Sequence, residues 1–224
     1  MTTQHRSVIF CDFDGTVTEK DNIVAIMEEF SPEGWQPIVN EILNETISIR
    51  EGVGKMFSRI PSNKKKEIIE FVLTRSKIRD GFQEFIQFTQ SERIPLYIVS
   101  GGIDFFVHPV LENKLDSQYV FCNASDFTSD TIKITWPNAC DDQCDNDCGC
   151  CKPSVIRRLE EKYPRTEKIV IGDSITDLQA SKMADVVFAR DYLIEKCEEN
   201  QIPYTSFETF HDIIHVLEKR GVKS

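Results

Sequence analysis

Two aspartates stand two residues apart in Cys11-Asp12-Phe13-Asp14-Gly15-Thr16, directly after an apolar run. A strand turns alternate side chains to one face, so Asp12 and Asp14 would share a side where a buried strand meets water. Carboxylates held that close repel unless a cation or a shared proton compensates, and Mg2+, a hard oxygen-seeking ion, would do so. A second acid pair, Asp173 and Asp177, follows in Gly172-Asp173-Ser174-Ile175-Thr176-Asp177. Between the pairs lies Ser100-Gly101-Gly102, whose hydroxyl and glycine amides suit an anion at a helix start. Lys152 supplies a fixed positive charge ahead of another expected helix. Each signal alone is weak, since a lone DxD or SGG is more often a simple turn. The set is not weak: its members recur at strand ends or helix starts, where open parallel sheets bind ligands.

The elements that must position these residues follow from the pattern. Short apolar strands alternate with amphipathic helices, which predicts an α/β fold with a Rossmann-like parallel sheet covered on both faces. The expected strands are residues 8–11, 96–99, 119–122, 169–171 and 186–189. Asp80 with Gln83 reads as a capping box, and Pro153 suits the first turn of a helix running to about Tyr163.

Two stretches break the alternation. Residues 21–77 contain no convincing strand and read as short helices, one from Asp21, one over 35–43, one over 49–57 and one capped by Ser62. They would form a helical cap inserted after the first strand, leaving 1–20 and 78–224 as the core domain. Residues 126–151 read as a hairpin from Phe127 to Trp136, turning near Ser129-Asp130, followed by a cysteine-rich loop.

The bulk numbers narrow the partners. The chain has 224 residues, 40% apolar and 28% charged, with a formal net charge of −11, as for an ordinary globular protein. No basic stripe suits a nucleic acid. The run Lys64-Lys65-Lys66 sits beside Glu67 and Glu70 and reads as a solvated helix face. No signal-peptide core and no apolar run near the ~20 residues needed to cross a bilayer are present. A cytoplasmic protein with no membrane partner and mainly reduced thiols is expected.

In combination these motifs resemble the haloacid dehalogenase-like hydrolases. Asp12-Phe13-Asp14-Gly15-Thr16 is similar to the first family motif, Ser100 to the second, Lys152 to the third, and Gly172-Asp173-Ser174-Ile175-Thr176-Asp177 to the fourth. The likeness spans nearly the whole chain and implies a phosphatase acting on a small phosphorylated metabolite. It implies Asp12 as nucleophile and Asp14 as general acid, then base. Ser100, Gly101 and Thr16 would bind phosphate, and Lys152 would offset its charge. Mg2+ would be held by Asp12, Asp173 and Asp14, the last through its carbonyl, with Asp177 supporting those ligands.

The helical stretch sits where phosphoserine phosphatase-like members carry a cap, and Asp21 lies near their substrate-reading acid. Gly15 stands where those enzymes commonly have serine. Residues 148–154 and 188–193 resemble a methionine-salvage branch of phosphatases that act on an enol phosphate. Alternatives are a related enzyme for phosphoserine, phosphoethanolamine or phosphocholine, and a non-catalytic module sensing metal or redox state.

Other residues have blander readings beside functional ones. Cys140, Cys144, Cys148, Cys150 and Cys151 lack the paired CxxC spacing of zinc ribbons, leaving inert thiols, a structural metal site and a redox disulfide open. Met27, Phe30, Trp35, Met56 and Phe57 could line a pocket for an apolar tail, but their helical spacing favours a core. His5, His108, His211 and His215 show no partner pattern and read as structural or surface residues.

Overall fold

Strand β1 (Ser7–Cys11) is buried at every position, and its alternating side chains feed two different cores. Ile9 and Cys11 join one apolar cluster, while Val8 and Phe10 join another on the opposite face. That two-sided burial explains the continuous apolar run, as expected of a central parallel strand. The computed structural model describes residues 6–31 and 33–221. The remaining strands are β2 (Leu96–Ile103), β3 (Val120–Asp126), β4 (Lys133–Thr135), β5 (Glu167–Gly172), β6 (Val186–Ala189) and β7 (Thr205–Ser206). They form one sheet in the order β4-β3-β2-β1-β5-β6-β7. Every pairing is parallel except that of β3 with β4.

Among the described residues, the segment between β1 and Lys77 holds the helices α1 (Asn22–Phe30), α2 (Gln36–Leu43), α3 (Ile49–Phe57) and α4 (Lys65–Arg75). Asp21 caps α1 by accepting from the Val24 amide at 3.0 Å, and Ser48 caps α3 by accepting from Glu51. Met27, Trp35, Met56 and Phe57 are buried in the larger apolar cluster and Phe30 packs against it, so these residues are core. Each fully buried side chain of this size contributes roughly 1.5–3 kcal/mol.

The chain enters and leaves this helical segment side by side. The Glu19 amide donates to the Lys77 carbonyl at 2.9 Å, and the Arg79 amide donates to the Val17 carbonyl at 2.8 Å.

The other helices are α5 (Phe82–Ser91), α6 (Asp104–Leu111), α7 (Lys152–Glu160), α8 (Leu178–Ser181), α9 (Asp191–Glu199) and α10 (Phe210–Arg220). Phe85, Phe106 and Phe210 place α5, α6 and α10 over Ile9 and Cys11, and Val155 and Ile156 place α7 over Val8 and Phe10. The helical segment docks on this body through Phe57, whose ring meets Phe105 edge-on at 6.2 Å. It also docks through the Ile132 amide, which donates to the Ile60 carbonyl at 3.0 Å. No helix among the described residues is long and apolar enough to cross a membrane.

Several local expectations are corrected. Strand β2 runs on through Ser100-Gly101-Gly102 to Ile103, with a register shift against β3 between Val99 and Ile103. Two glycines let the strand bulge instead of ending in a helix turn. Asp80 does not cap α5: Gly81, at φ +79°, precedes the helix with no side-chain cap, and the Asp80 carbonyl accepts from the Phe210 amide. Ser62 opens a short 3-10 turn, and its buried hydroxyl has no partner.

Helix α7 stops at Glu160, short of Tyr163. The first arm of the hairpin is the end of β3, with Asp126 opposite Lys133. His5 lies outside the described residues, and the clusters of ligating side chains among the described residues contain no histidine.

Candidate active site

The Asp12 amide extends the β1–β5 ladder by donating to the Ile171 carbonyl at 2.9 Å, which fixes the residue at the carboxyl end of the central strands. The chain then turns sharply. Gly15 adopts φ +81°, and a Cβ there would lie 2.3 Å from Asp173 Oδ2; both facts demand glycine. Buried Arg79 clamps this turn, its Nε donating to the Thr16 carbonyl at 2.8 Å and its Nη2 to the Gly15 carbonyl at 2.7 Å.

The end of β5 supplies the second acid pair. Asp177 Oδ2 accepts from the Asp173 and Ser174 amides at 3.2 Å each, folding the loop back on its own carboxylate. Lys152, in the first turn of α7, reaches between the two pairs. Its Nζ donates to Asp12 Oδ1 at 2.7 Å and to Asp177 Oδ1 at 2.5 Å. Asp12 and Lys152 are each 5% exposed. Desolvation offsets much of the attraction in such a buried pair. What the arrangement provides is therefore orientation more than stability.

One lysine faces more negative charge than it can balance. Oxygens of Asp12, Asp173 and Asp177 lie within 4.8 Å of one another. Burial pushes the Asp12 carboxyl up to about 6, opposed by Lys152 and reinforced by Asp177. Burial and the charges of Asp12 and Asp177 push Asp173 up to about 9, against the Thr16 hydrogen bond. Burial works against the charge of Lys152, but Asp12 and Asp177 outweigh it and hold the ammonium above its ordinary value. An all-oxygen set with surplus negative charge fits a hard divalent cation.

Asp14 faces the helical segment. Its Oδ1 accepts from the Asn22 amide at 3.1 Å and from Asn22 Nδ2 at 2.6 Å. Burial, then the nearby Asp21 carboxylate, raise the Asp14 carboxyl well above its usual range, while Asn22 holds it down. Ser100 is fully buried, and its hydroxyl accepts from the Gly102 amide at 2.8 Å and lies 3.5 Å from Asp14 Oδ2. Gly101 leaves open space where a side chain would be, and its carbonyl accepts from Asn123 Nδ2 at 2.7 Å.

Asp12, Lys152, Asp173 and Asp177 are thus brought together, with Asp14 and Ser100 beside them. Thr16 is placed differently from the phosphate-binding role its motif implied. It is fully buried, and its hydroxyl donates to Asp173 Oδ1 at 2.9 Å, which assigns it to orienting that carboxylate. Asp21 is exposed and occupied as the α1 cap.

Of the five clustered cysteines, Cys140, Cys144, Cys148 and Cys151 converge. Cys150 departs, its thiol facing the Phe121 carbonyl on the other side of the chain. Asn22 and Arg79 are site residues that the sequence reading missed. The set can offer a lysine-held carboxylate as nucleophile and a second carboxyl that burial keeps ready to give a proton.

Comparison with known proteins agrees with this chemistry. A family model described as haloacid dehalogenase-like hydrolase matches residues 9–182. A 2-hydroxy-3-keto-5-methylthiopentenyl-1-phosphate phosphatase of Geobacillus thermodenitrificans (strain NG80-2) is 54% identical over 215 residues, covering 96% of this chain and 97% of that one. A phosphatase of the same name from Bacillus cereus (strain AH187) is 52% identical over 205 residues, 92% of this chain and 93% of that one. Among solved structures, a phospho-aspartyl intermediate analogue of phosphoserine phosphatase superposes with a TM-score of 0.73 at 18% identity. It covers 95% of this chain and 99% of that one, and at such identity the likeness is one of fold.

Proposed function

Because the chain belongs to the haloacid dehalogenase-like hydrolases, we propose that it is a Mg2+-dependent phosphomonoesterase of methionine salvage. Its substrate is 2-hydroxy-3-keto-5-methylthiopentenyl-1-phosphate, and its products are 1,2-dihydroxy-3-keto-5-methylthiopentene and phosphate. The observation that carries this reading is the 54% identity over 96% of the chain to a phosphatase of that name. The alternative of phosphoserine is less well supported. Gly15 stands where phosphoserine enzymes commonly have serine, and a side chain there would collide with Asp173 Oδ2.

Hydrolysis proceeds in two displacements. The Asp12 carboxylate, held at Oδ1 by Lys152, attacks phosphorus, and the ester P–O bond breaks as the acyl phosphate forms. Asp14 gives its proton to the leaving oxygen. Water then attacks the phosphorus with Asp14 taking a proton, and phosphate leaves with Asp12 restored. Ser100 and Gly101 hold phosphoryl oxygens, and Lys152 offsets their charge.

The carboxylates of Asp12 and Asp173 and the carbonyl of Asp14 would hold Mg2+, which lets carboxylate and phosphate approach each other. Asp177, already engaged by Lys152 and two amides, keeps the Asp173 loop in place. Residues 21–77 act as a cap over a core of 1–20 and 78–224, and choose the substrate beyond its phosphate. The enzyme works in the cytoplasm, where its thiols stay reduced.

The test is kcat/KM for the enol phosphate, phosphoserine, phosphoethanolamine and phosphocholine under one Mg2+ condition, with Asp12→Asn as control. The enol phosphate should lead, and Asp12→Asn should lower its turnover by several orders of magnitude. A clear preference for an amine-bearing ester would overturn the substrate and leave the mechanism standing.

A further inference from the structure

The loop between β4 and α7 gathers four thiols in a group separate from that of the carboxylates. The sulfurs of Cys140, Cys144, Cys148 and Cys151 all lie within 4.8 Å of one another, and none is in a disulfide. Those of Cys144 and Cys148 are 3.9 Å apart. That is nearly twice a disulfide bond of about 2.05 Å. It is close to the edge, ~3.8 Å, of a tetrahedron of sulfurs each about 2.3 Å from a central Zn2+.

Donors are aimed at these sulfurs. The Cys148 amide donates to Cys140 Sγ at 3.3 Å, and the Ser154 hydroxyl donates to Cys151 Sγ at 3.0 Å. Cys151 also stands at the start of α7, with no side-chain cap bond, and the positive end of a helix favours an anion. The Cys140 and Cys151 sulfurs thus each accept a hydrogen bond, as the ligands of a metal commonly do.

We propose that Cys140, Cys144, Cys148 and Cys151 bind one Zn2+ as a structural tetrathiolate site. Four S–H groups release their protons to solvent and four S–Zn bonds form, with no change in oxidation state. Thiolates suit Zn2+ and carboxylates suit Mg2+, so the two centres select different ions. The inference is independent of the substrate.

The site's position gives it two loads to carry. Cys151 adjoins Lys152, and the Cys151 amide is tied back to the Asn138 carbonyl at 2.7 Å. On the other side, Asp147 receives the helical segment. Its carboxylate accepts from the Ser48 hydroxyl at 2.6 Å and from Arg50 Nη1 at 3.1 Å, and its carbonyl accepts from the Arg50 amide at 3.2 Å. Zinc would therefore set both the base of Lys152 and the seat of α3.

The test uses the full chain expressed with zinc and purified under reducing, chelator-free conditions. Elemental mass spectrometry should find one zinc per chain, released by a mercurial thiol reagent. Zinc-stripped protein refilled with Co2+ should show the charge-transfer and intense visible bands of a tetrahedral cobalt tetrathiolate. Cys144→Ser should lose most of the zinc, and Cys197→Ser, buried elsewhere, should keep it. If Cys144→Ser fails to fold, the wild-type zinc content and cobalt spectrum decide alone. Clearly substoichiometric zinc with no cobalt bands, a disulfide among the four in reduced protein, or full zinc in Cys144→Ser would each overturn the proposal.

Discussion

Asn22 Nδ2 donates to Asp14 Oδ1 at 2.6 Å, so the first turn of α1 sets the carboxyl assigned to proton transfer. The helical segment therefore reaches into the chemistry. Burial and Asp21 raise Asp14, and Asn22 opposes them by stabilising the charged form.

Asn22→Ala should consequently raise the Asp14 pKa further. In the proposed mechanism Asp14 is the acid while protonated, so turnover of a simple alkyl phosphate falls as pH rises through that pKa. Without Asn22 this basic limb should move to higher pH. A hydrogen bond to a charged group is worth about 1.5–3 kcal/mol, which corresponds to roughly 1–2 pH units. The measurement is kcat against pH; an equal loss at every pH, with the limb unmoved, would mean that Asn22 only holds the fold.

Asp173 gives a linkage prediction. Its carboxyl rises to about 9 in the metal-free site, above its unfolded value near 4. A raised folded pKa favours the folded state at low pH, and that advantage is lost as pH climbs through the interval between the two values. Metal-free protein should thus lose stability from about pH 4 to 9, and Mg2+ should restore it. Asp173→Asn should flatten this pH dependence and abolish the Mg2+-induced rise in Tm. Thermal melts in EDTA and in Mg2+ decide; a Mg2+ response that survives in Asp173→Asn places the cation elsewhere.

Asp21 combines a cap with a charge that acts on Asp14, and two substitutions separate them. Asp21→Ala should cost about 1 kcal/mol through the lost cap. Asp21→Asn should keep the cap and the Tm. If Asp21 reads the substrate, Asp21→Asn changes the ratio of rates among phosphoesters while sparing a small generic aryl ester. A uniform loss across all esters would assign Asp21 to Asp14 and the α1 terminus.

Arg79→Lys removes the planar fork that spans the Gly15 and Thr16 carbonyls while keeping a positive charge. The turn carrying Asp14 should loosen, and kcat should fall about 10–100-fold. KM should change little, because Arg79 is buried and spends its guanidinium on backbone carbonyls. Unchanged kcat would show that the backbone ladder holds the turn unaided.

The legible part of this protein was the part that short spacing controls. Asp12 and Asp14 share a strand end, Asp173 and Asp177 share one loop, and Lys152 adjoins a proline-started helix, so each signal sits within a few residues. Asn22 was hidden because it follows a good capping residue and reads as a second polar group in a first turn. Arg79 acts on carbonyls 63 and 64 residues away, and nothing around it in the chain marks that reach. Thr16 was misplaced because a hydroxyl beside an acid pair suits a phosphate and a carboxylate equally, and only the fold brings Asp173 to it. The β2 bulge and the turning-away of Cys150 depend on sheet register, which a single segment does not contain.

The central place of β1 has a consequence for how the protein is made. One side of the strand pairs with β2, but the other waits for β5. Lys152, which meets Asp12, lies 140 residues further along the chain. At about 5–20 residues per second, a ribosome needs roughly 7–30 seconds to deliver it. During that interval β1 presents an apolar open edge of the kind that pairs with other chains, and Asp12 has no counter-charge. The nascent chain is therefore most open to pairing with other copies of itself until its last third has emerged.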